Sequence, residues 1–162
     1  MTPIQRKTSL ARTWNRGRLA LGHREDTAIE SLIQTWTPRL LTVLRIVAGL
    51  LFVEHGSAKL LHFPHVDMFD NLQLVSLMGL AGVLELGGGA LLALGLFSRP
   101  VAFVLSGEMA AAYFMAHAPM NFFPVLNQGE GAILFCFIFL YLAAAGGGEW
   151  SLDRMLRPNA TL

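Results

Sequence analysis

Charge and cysteine are both scarce in this chain of 162 residues. A single cysteine, Cys136, excludes an intramolecular disulfide, a CxxC redox pair, a CxxCH haem attachment and a thiolate cluster for zinc or iron–sulfur. Charged residues make up 14% against 54% hydrophobic, at a mean hydropathy of +0.51, which leaves too little polar surface to dress a soluble domain of this size. The net charge of +1 supplies no basic excess for nucleic acid and no acidic tail, so nucleic acid is not an expected partner. No strand is expected, and no nucleotide-binding fingerprint follows one. What remains is an all-α integral membrane protein with lipid as its solvent, whose chemistry must reside in the few polar groups inside it.

Residues 1–39 stand apart. They hold Arg6, Lys7, Arg12, Arg16, Arg18, Arg24 and Arg39 against Glu25, Asp26 and Glu30, without the apolar run of a secretory signal. They read as a basic cytoplasmic tail, with a short surface helix over residues 26–36. Residues 40–150 read as the membrane domain and 151–162 as a short cytoplasmic C-terminal tail.

Four apolar segments lie in that domain: residues 40–61, 74–96, 101–117 and 125–146. Each has the roughly 17 to 25 residues needed to cross the hydrocarbon as a helix. HFPHVDMFDN, FSRP and APMNFFPVLNQ separate them, and FSRP predicts a tight antiparallel hairpin. Lys and Arg concentrate before the first segment, at Arg99 between the second and third, and at Arg154 and Arg157 after the fourth. By the positive-inside rule this predicts an antiparallel four-helix bundle with both termini cytoplasmic. Gly49, Gly56, Gly79, Gly82, Gly87 to Gly89 and Gly107 mark positions where helices can approach closely. No internal repeat suggests an inverted-repeat transporter.

Ionisable residues inside spans are costly and point to function. Here they are Arg45, Glu54, His55, Lys59, Glu85, Glu108, His117 and Glu130. At 100° per residue, Arg45 and Lys59 fall about 40° apart on one helix face, His55 about 80° from Arg45 on the Lys59 side, and Glu54 nearly opposite Arg45. A rise of about 1.5 Å per residue puts Arg45 about 10 Å above Arg39 and Glu108 about 13 Å above Arg99, which predicts a structural ion pair between Arg45 and Glu108. The same ruler places Glu85, His55, His117 and Glu130 about 21 to 27 Å up, predicting an upper chamber of Glu54, His55, Lys59, Glu85, His117 and Glu130 that opens to the extracytoplasmic side. Two positive charges face four carboxylates. Histidines must be protonated, a carboxyl must be neutral, or water must enter. Glu85, His55 and Glu130 are the proton-exchange candidates, and Arg45, Lys59, Glu54 and His117 the substrate-binding ones.

The HFPH stretch, with Asp67 and Asp70, offers His62 and His65 at i, i+3 spacing. The intervening proline breaks the helix that would align them, and no metal is expected. A haem clamp by His55 and His117 lacks any supporting motif. The phenylalanines at 114, 122, 123, 135, 137 and 139 read as packing or lipid-facing residues, with a quinone headgroup slot as the functional alternative.

Three stretches resemble the DoxX family of small four-helix bacterial membrane proteins: LLTVLRIVAGLLFVEHGSAKLLHFP, GLAGVLELGGGALLALGLFSRPVAF and GEMAAAYFMAHAPMNFFPVLNQGEGAILFCFIFLYLAAAGGGEWSLD. Arg45, His55-Gly56 with Lys59, Glu85, the Leu-Gly-Leu-Phe-Ser-Arg turn ending at Arg99 and the final Gly-Glu-Trp-Ser-Leu-Asp match best. Gly146 to Gly148 stand where the family commonly has Gly-Pro-Gly. The resemblance implies a multi-pass protein of the bacterial plasma (inner) membrane. It also implies a subunit of a quinone-linked or stress-related oxidoreductase system, with no covalently bound cofactor, quinone as the candidate cofactor, and soluble or membrane redox proteins as partners. A structural or assembly partner without catalysis stands as one alternative. A small-molecule or proton permease, which would need a homo-oligomer, stands as the other.

Overall fold

The computed structural model describes residues 3–156, with side chains described from Ile29 onward. Among the described residues every regular element is helical. The order is α1 (Pro3–Leu60), a 3₁₀ turn (Asp67–Phe69), α2 (Leu77–Val83), a π-helical turn (Leu84–Gly88), α3 (Gly89–Leu94), α4 (Ser98–Ala112), a second π-helical turn (Tyr113–His117), α5 (Pro124–Asn127), α6 (Glu130–Ala145) and α7 (Leu152–Leu156). The chain divides into two units, residues 1–38 and 39–162. In the first the backbone is helical from Pro3 on, where a tail with a short helix over residues 26–36 was expected. Pro38 lies inside α1.

The second unit is built of antiparallel neighbours. Along α1, Gly49 lies against Gly89 and Ala93, Gly56 against Leu86, and Lys59 against Glu85, so sequence rises on one helix as it falls on the other. Gly56 is dictated by this contact, because a Cβ there would collide with the backbone of Leu86. Helix α4 pairs with α6 in the same sense, the Ser106 hydroxyl donating to the Cys136 carbonyl at 2.9 Å. Phe52 from α1 joins the two pairs, with its ring edge-on to Phe139 at 4.5 Å and to Phe135 at 5.1 Å. Ala48, Leu92, Ala102, Leu105, Met109, Ala132 and Leu142 complete the core.

The polarity is inside out relative to a water-soluble bundle. On α1 the inward stripe is Thr42, Arg45, Ala48, Phe52 and Lys59, whereas Leu40, Val43, Val47 and Leu50 point outward. Phe103 and Val104 on α4 and Leu134, Phe137 and Leu140 on α6 are likewise exposed. Such a surface is stable in hydrocarbon, where the helices satisfy their own backbone groups. Among the described residues two helices, Ile29–Leu60 and Leu77–Leu94, are long and apolar enough to cross a membrane, and Glu130–Ala145 is apolar but shorter.

The FSRP connection forms the expected tight turn. Gly95 (φ +72°) and Phe97 (φ +51°) take left-handed conformations that stop one helix and start the next. Gly95 is required twice over, since a Cβ there would also meet the Arg45 guanidinium carbon at 2.9 Å.

Candidate functional site

Among the described residues of the second unit, two clusters of charge are buried. The first surrounds the FSRP turn. Arg45 is fully buried, and its guanidinium donates to four backbone carbonyls: Gly147 (2.7 Å), Ala93 (2.7 Å), Trp150 (2.8 Å) and Leu92. Leu92 and Ala93 lie in the last turn of α3, where the Leu92 carbonyl also accepts from the Gly95 N–H at 3.0 Å and the helix dipole favours a cation. Opposite, the Asp153 carboxylate accepts from the backbone N–H groups of Phe97 (2.8 Å) and Ser98 (2.7 Å), at the electropositive start of α4. The Asp153 N–H in turn donates to the Gly95 carbonyl at 2.9 Å. One cation and one anion thus cap the two helix ends that meet at this turn. Arg39 adds a partly exposed bond to Glu149 at 3.2 Å.

This arrangement replaces the expected Arg45–Glu108 ion pair. The ruler took Arg39 and Arg99 as level, but Gly95 packs on Arg45, so the turn sits level with Arg45 rather than with Arg39. Arg45 therefore spends its donors on carbonyls at the turn, and Glu108 lies ten residues further along α4, about 15 Å higher. All of the guanidinium nitrogens are thus engaged by main-chain carbonyls, which gives Arg45, expected to bind substrate, a structural role at the turn.

The second cluster is at that higher level. Lys59 Nζ donates to both oxygens of Glu85, at 2.6 and 2.7 Å, with only 10% and 4% of the two side chains exposed. Glu85 lies in the π-helical turn Leu84–Gly88, a local widening that re-aims side chains and often marks functional positions. Leu105 of α4 fills the space a Cβ on Gly88 would occupy, so the turn bearing Glu85 faces the turn bearing Glu108. Glu108 lies within Coulombic reach of Glu85 and Lys59, and both of its carboxylate oxygens are buried with no hydrogen-bond partner among the described residues. Over the ammonium, the Phe69 ring stands 5.9 Å from Lys59 Nζ. Phe69 also lines an open cleft of about 300 Å³ with Met68, Asn71, Leu72, Gln73, Ser76 and Met78.

The rest of the expected chamber does not converge. Glu54, His55 and Glu130 are exposed, and His55 Nδ1 turns back to the carbonyl of Leu51, one turn earlier on its own helix, at 2.8 Å. His117 is half-buried, with Nδ1 2.9 Å from the Asn127 carbonyl and its ring stacked on Tyr113, so it organises the loop before α6. Missing from the expectation were the Lys59–Glu85 pairing, the part played by Asp153, and Phe69. The first was within reach of the sequence, since both residues belong to the best-matching family positions.

Of the loop histidines, His62 is exposed and has φ +56°. His65, Asp67 and Asp70 cluster on the surface, with His65 Nε2 3.1 Å from Asp67 and Nδ1 3.6 Å from Asp70. All three side chains face solvent, and the contacts tie the loop together.

An apolar exterior enclosing an arginine, a lysine and two glutamates defines the class of this chain as a small all-helical membrane protein. It belongs to the DoxX family, whose family model matches residues 40–118. An uncharacterized protein of Haemophilus influenzae (strain Rd) is 43% identical over 126 residues, covering 75% of this chain and 93% of that protein. The inner membrane protein YqjF of Escherichia coli K12 is 28% identical over 127 residues, covering 72% of this chain and 92% of that protein. No solved structure matches the chain.

Proposed function

We propose that the chain is a multi-pass inner-membrane protein with four spans and both ends cytoplasmic, serving as a membrane subunit of a quinone-linked oxidoreductase system, with Lys59, Glu85 and Glu108 as its proton-handling centre. One observation carries the assignment of the centre. Glu108 buries both carboxylate oxygens without a donor, beside a lysine already engaged by Glu85. Such a carboxyl requires a proton or an incoming donor, because an ionised, unpaired carboxylate is costly in so apolar a setting. A group that must gain or lose a proton to change its partners is suited to proton exchange.

The family resemblance and the name of the Escherichia coli relative support the membrane assignment. For a quinone headgroup, the cleft beside Lys59 offers apolar walls from Phe69, Leu72 and Met78 and amide donors on Asn71 and Gln73. Asn71 and Gln73 would hold the ring oxygens. A bound quinone supplies two-electron, two-proton chemistry. Glu108 holds or releases the proton, while Lys59 keeps Glu85 fixed as a negative neighbour. Because the chain carries no redox pair of its own, electrons come from partner proteins.

Two measurements test this reading. Reporter fusions after Arg157 and within residues 121–128 should read inside and outside, respectively, and the opposite result at either site ends the four-span topology. A hydrophobic carbodiimide, which adds to protonated carboxyl groups, should modify Glu108 in membranes, and Glu108→Gln should abolish quinone reduction in membranes containing the partner proteins while leaving protein levels normal. An unmodified Glu108 together with full activity in the glutamine variant would remove the proton-handling role.

A further inference from the structure

Phe69 occupies an unusual position: one residue belongs to both the open cleft and the buried charge cluster. On one side its ring lines the cleft with Leu72 and Met78; on the other it stands 5.9 Å from Lys59 Nζ. It lies in the short 3₁₀ turn Asp67–Phe69, in the connection between α1 and α2. The turn's N-cap residue, Val66, makes no side-chain capping bond, and Asp67 and Met68 are exposed. Phe69 is half-buried amid these exposed neighbours.

The polarity on the two sides is complementary. Asn71, Gln73 and Ser76 bring polar atoms to the cleft wall, and the ring's other neighbour, Lys59, is paired with Glu85 and lies within Coulombic reach of Glu108, whose buried oxygens have no hydrogen-bond partner among the described residues. A ring face over an ammonium is a favourable contact that leaves the cation's hydrogen-bond donors to their carboxylate. It also excludes water from a site whose charges strengthen when dry. Phe69 is thus the residue at which the cleft and the Lys59–Glu85 pair adjoin.

We propose that the cleft walled by Phe69, Asn71, Leu72, Gln73, Ser76 and Met78 is the aqueous entrance to the Lys59–Glu85–Glu108 centre, and that the Phe69 ring is the gate through which water and protons reach it. The inference rests on the proton-handling reading for its purpose, but the route is a property of the fold and is tested separately.

The test uses the full-length protein in membrane vesicles of both orientations. In a Cys136→Ala background, which keeps the Cys136 backbone carbonyl that Ser106 uses, Glu108→Cys reports access to a water-soluble methanethiosulfonate reagent. Adding Phe69→Ala should raise the modification rate roughly tenfold, from one face only, and Phe69→Trp should lower it. Leu72→Cys, on the cleft wall itself, should react at a similar rate whatever occupies position 69. As a second readout that leaves Glu108 in place, a water-soluble amine reagent should label Lys59 faster in Phe69→Ala than in the native chain, as mapped by mass spectrometry. The route would be overturned if the Glu108→Cys thiol and the Lys59 amine each reacted equally fast with and without the Phe69 ring, while the Leu72→Cys thiol reacted normally. That failure is separable from the carbodiimide result, which concerns the proton on Glu108 and not the path to it.

Discussion

Lys59 Nζ bridges the two carboxylate oxygens of Glu85, so a single ammonium ties α1 to the π-helical turn between α2 and α3. The pair is almost wholly withdrawn from the exterior, and each partner is the other's principal compensation for lost solvation. Breaking it from one side is therefore worse than removing it.

Lys59→Met or Glu85→Leu alone should each cost about 3 to 5 kcal/mol, because either leaves an uncompensated buried charge. The double variant should recover most of that loss. Unfolding in detergent micelles, followed by helical circular dichroism, measures the difference. A double variant no more stable than either single one would contradict the pairing.

Arg45→Lys should be poorly tolerated despite conserving charge. A single ammonium cannot serve carbonyls from Leu92, Ala93, Gly147 and Trp150 at once, and the expected loss is about 2 to 3 kcal/mol for the carbonyls left unmet. Asp153→Asn, which keeps one acceptor oxygen and loses the charge at the start of α4, should cost less, about 1 kcal/mol. Thermal denaturation midpoints of the purified variants rank the two.

Gly56→Ala and Gly107→Ala form a matched pair. A Cβ at Gly56 runs into the Leu86 backbone, whereas one at Gly107 meets nothing within 4 Å. The first should destabilise by about 1 to 3 kcal/mol through overpacking, and the second should be neutral or slightly stabilising through helix propensity. Equal melting temperatures for the two would show that α1 and the π-helical turn bearing Leu86 do not pack as described.

His65→Ala should change stability by less than about 1 kcal/mol, because its contacts with Asp67 and Asp70 are solvent-exposed. Activity in the membrane assay should persist in His62→Ala and His65→Ala and be lost in Glu85→Gln. The reverse pattern would place the working site in the loop.

The all-helical class was legible because hydropathy integrates over many residues, and so was the hairpin at FSRP, where Gly95 permits the left-handed conformation that ends one helix and Pro100 suits the first turn of the next. The site was legible only in composition. A ruler along each helix gives height, and the helical wheel gives direction about one axis, but neither states how two helices are rotated against each other. Glu54, His55 and Glu130 are the cases in point, expected inside a chamber and found exposed. Arg45 is a case of another kind, since a search for charged partners passes over backbone carbonyls, which become available only where a helix ends. The π-helical turn at Glu85 likewise shifts the register in a way that no fixed angle per residue anticipates.

The collar around Arg45 also imposes an order on biosynthesis. Two of its carbonyls, those of Gly147 and Trp150, lie 102 and 105 residues further along the chain. Both are synthesised more than a hundred residues after Arg45, so the first apolar helix enters the bilayer with its arginine still waiting for them. Until Trp150 has emerged, that guanidinium needs a stand-in such as water, lipid headgroups or the insertion machinery. Docking of the segment from Gly147 to Trp150 thereby becomes the event that completes the collar, and a chain cut before Gly147 leaves the guanidinium short of two of its four acceptors.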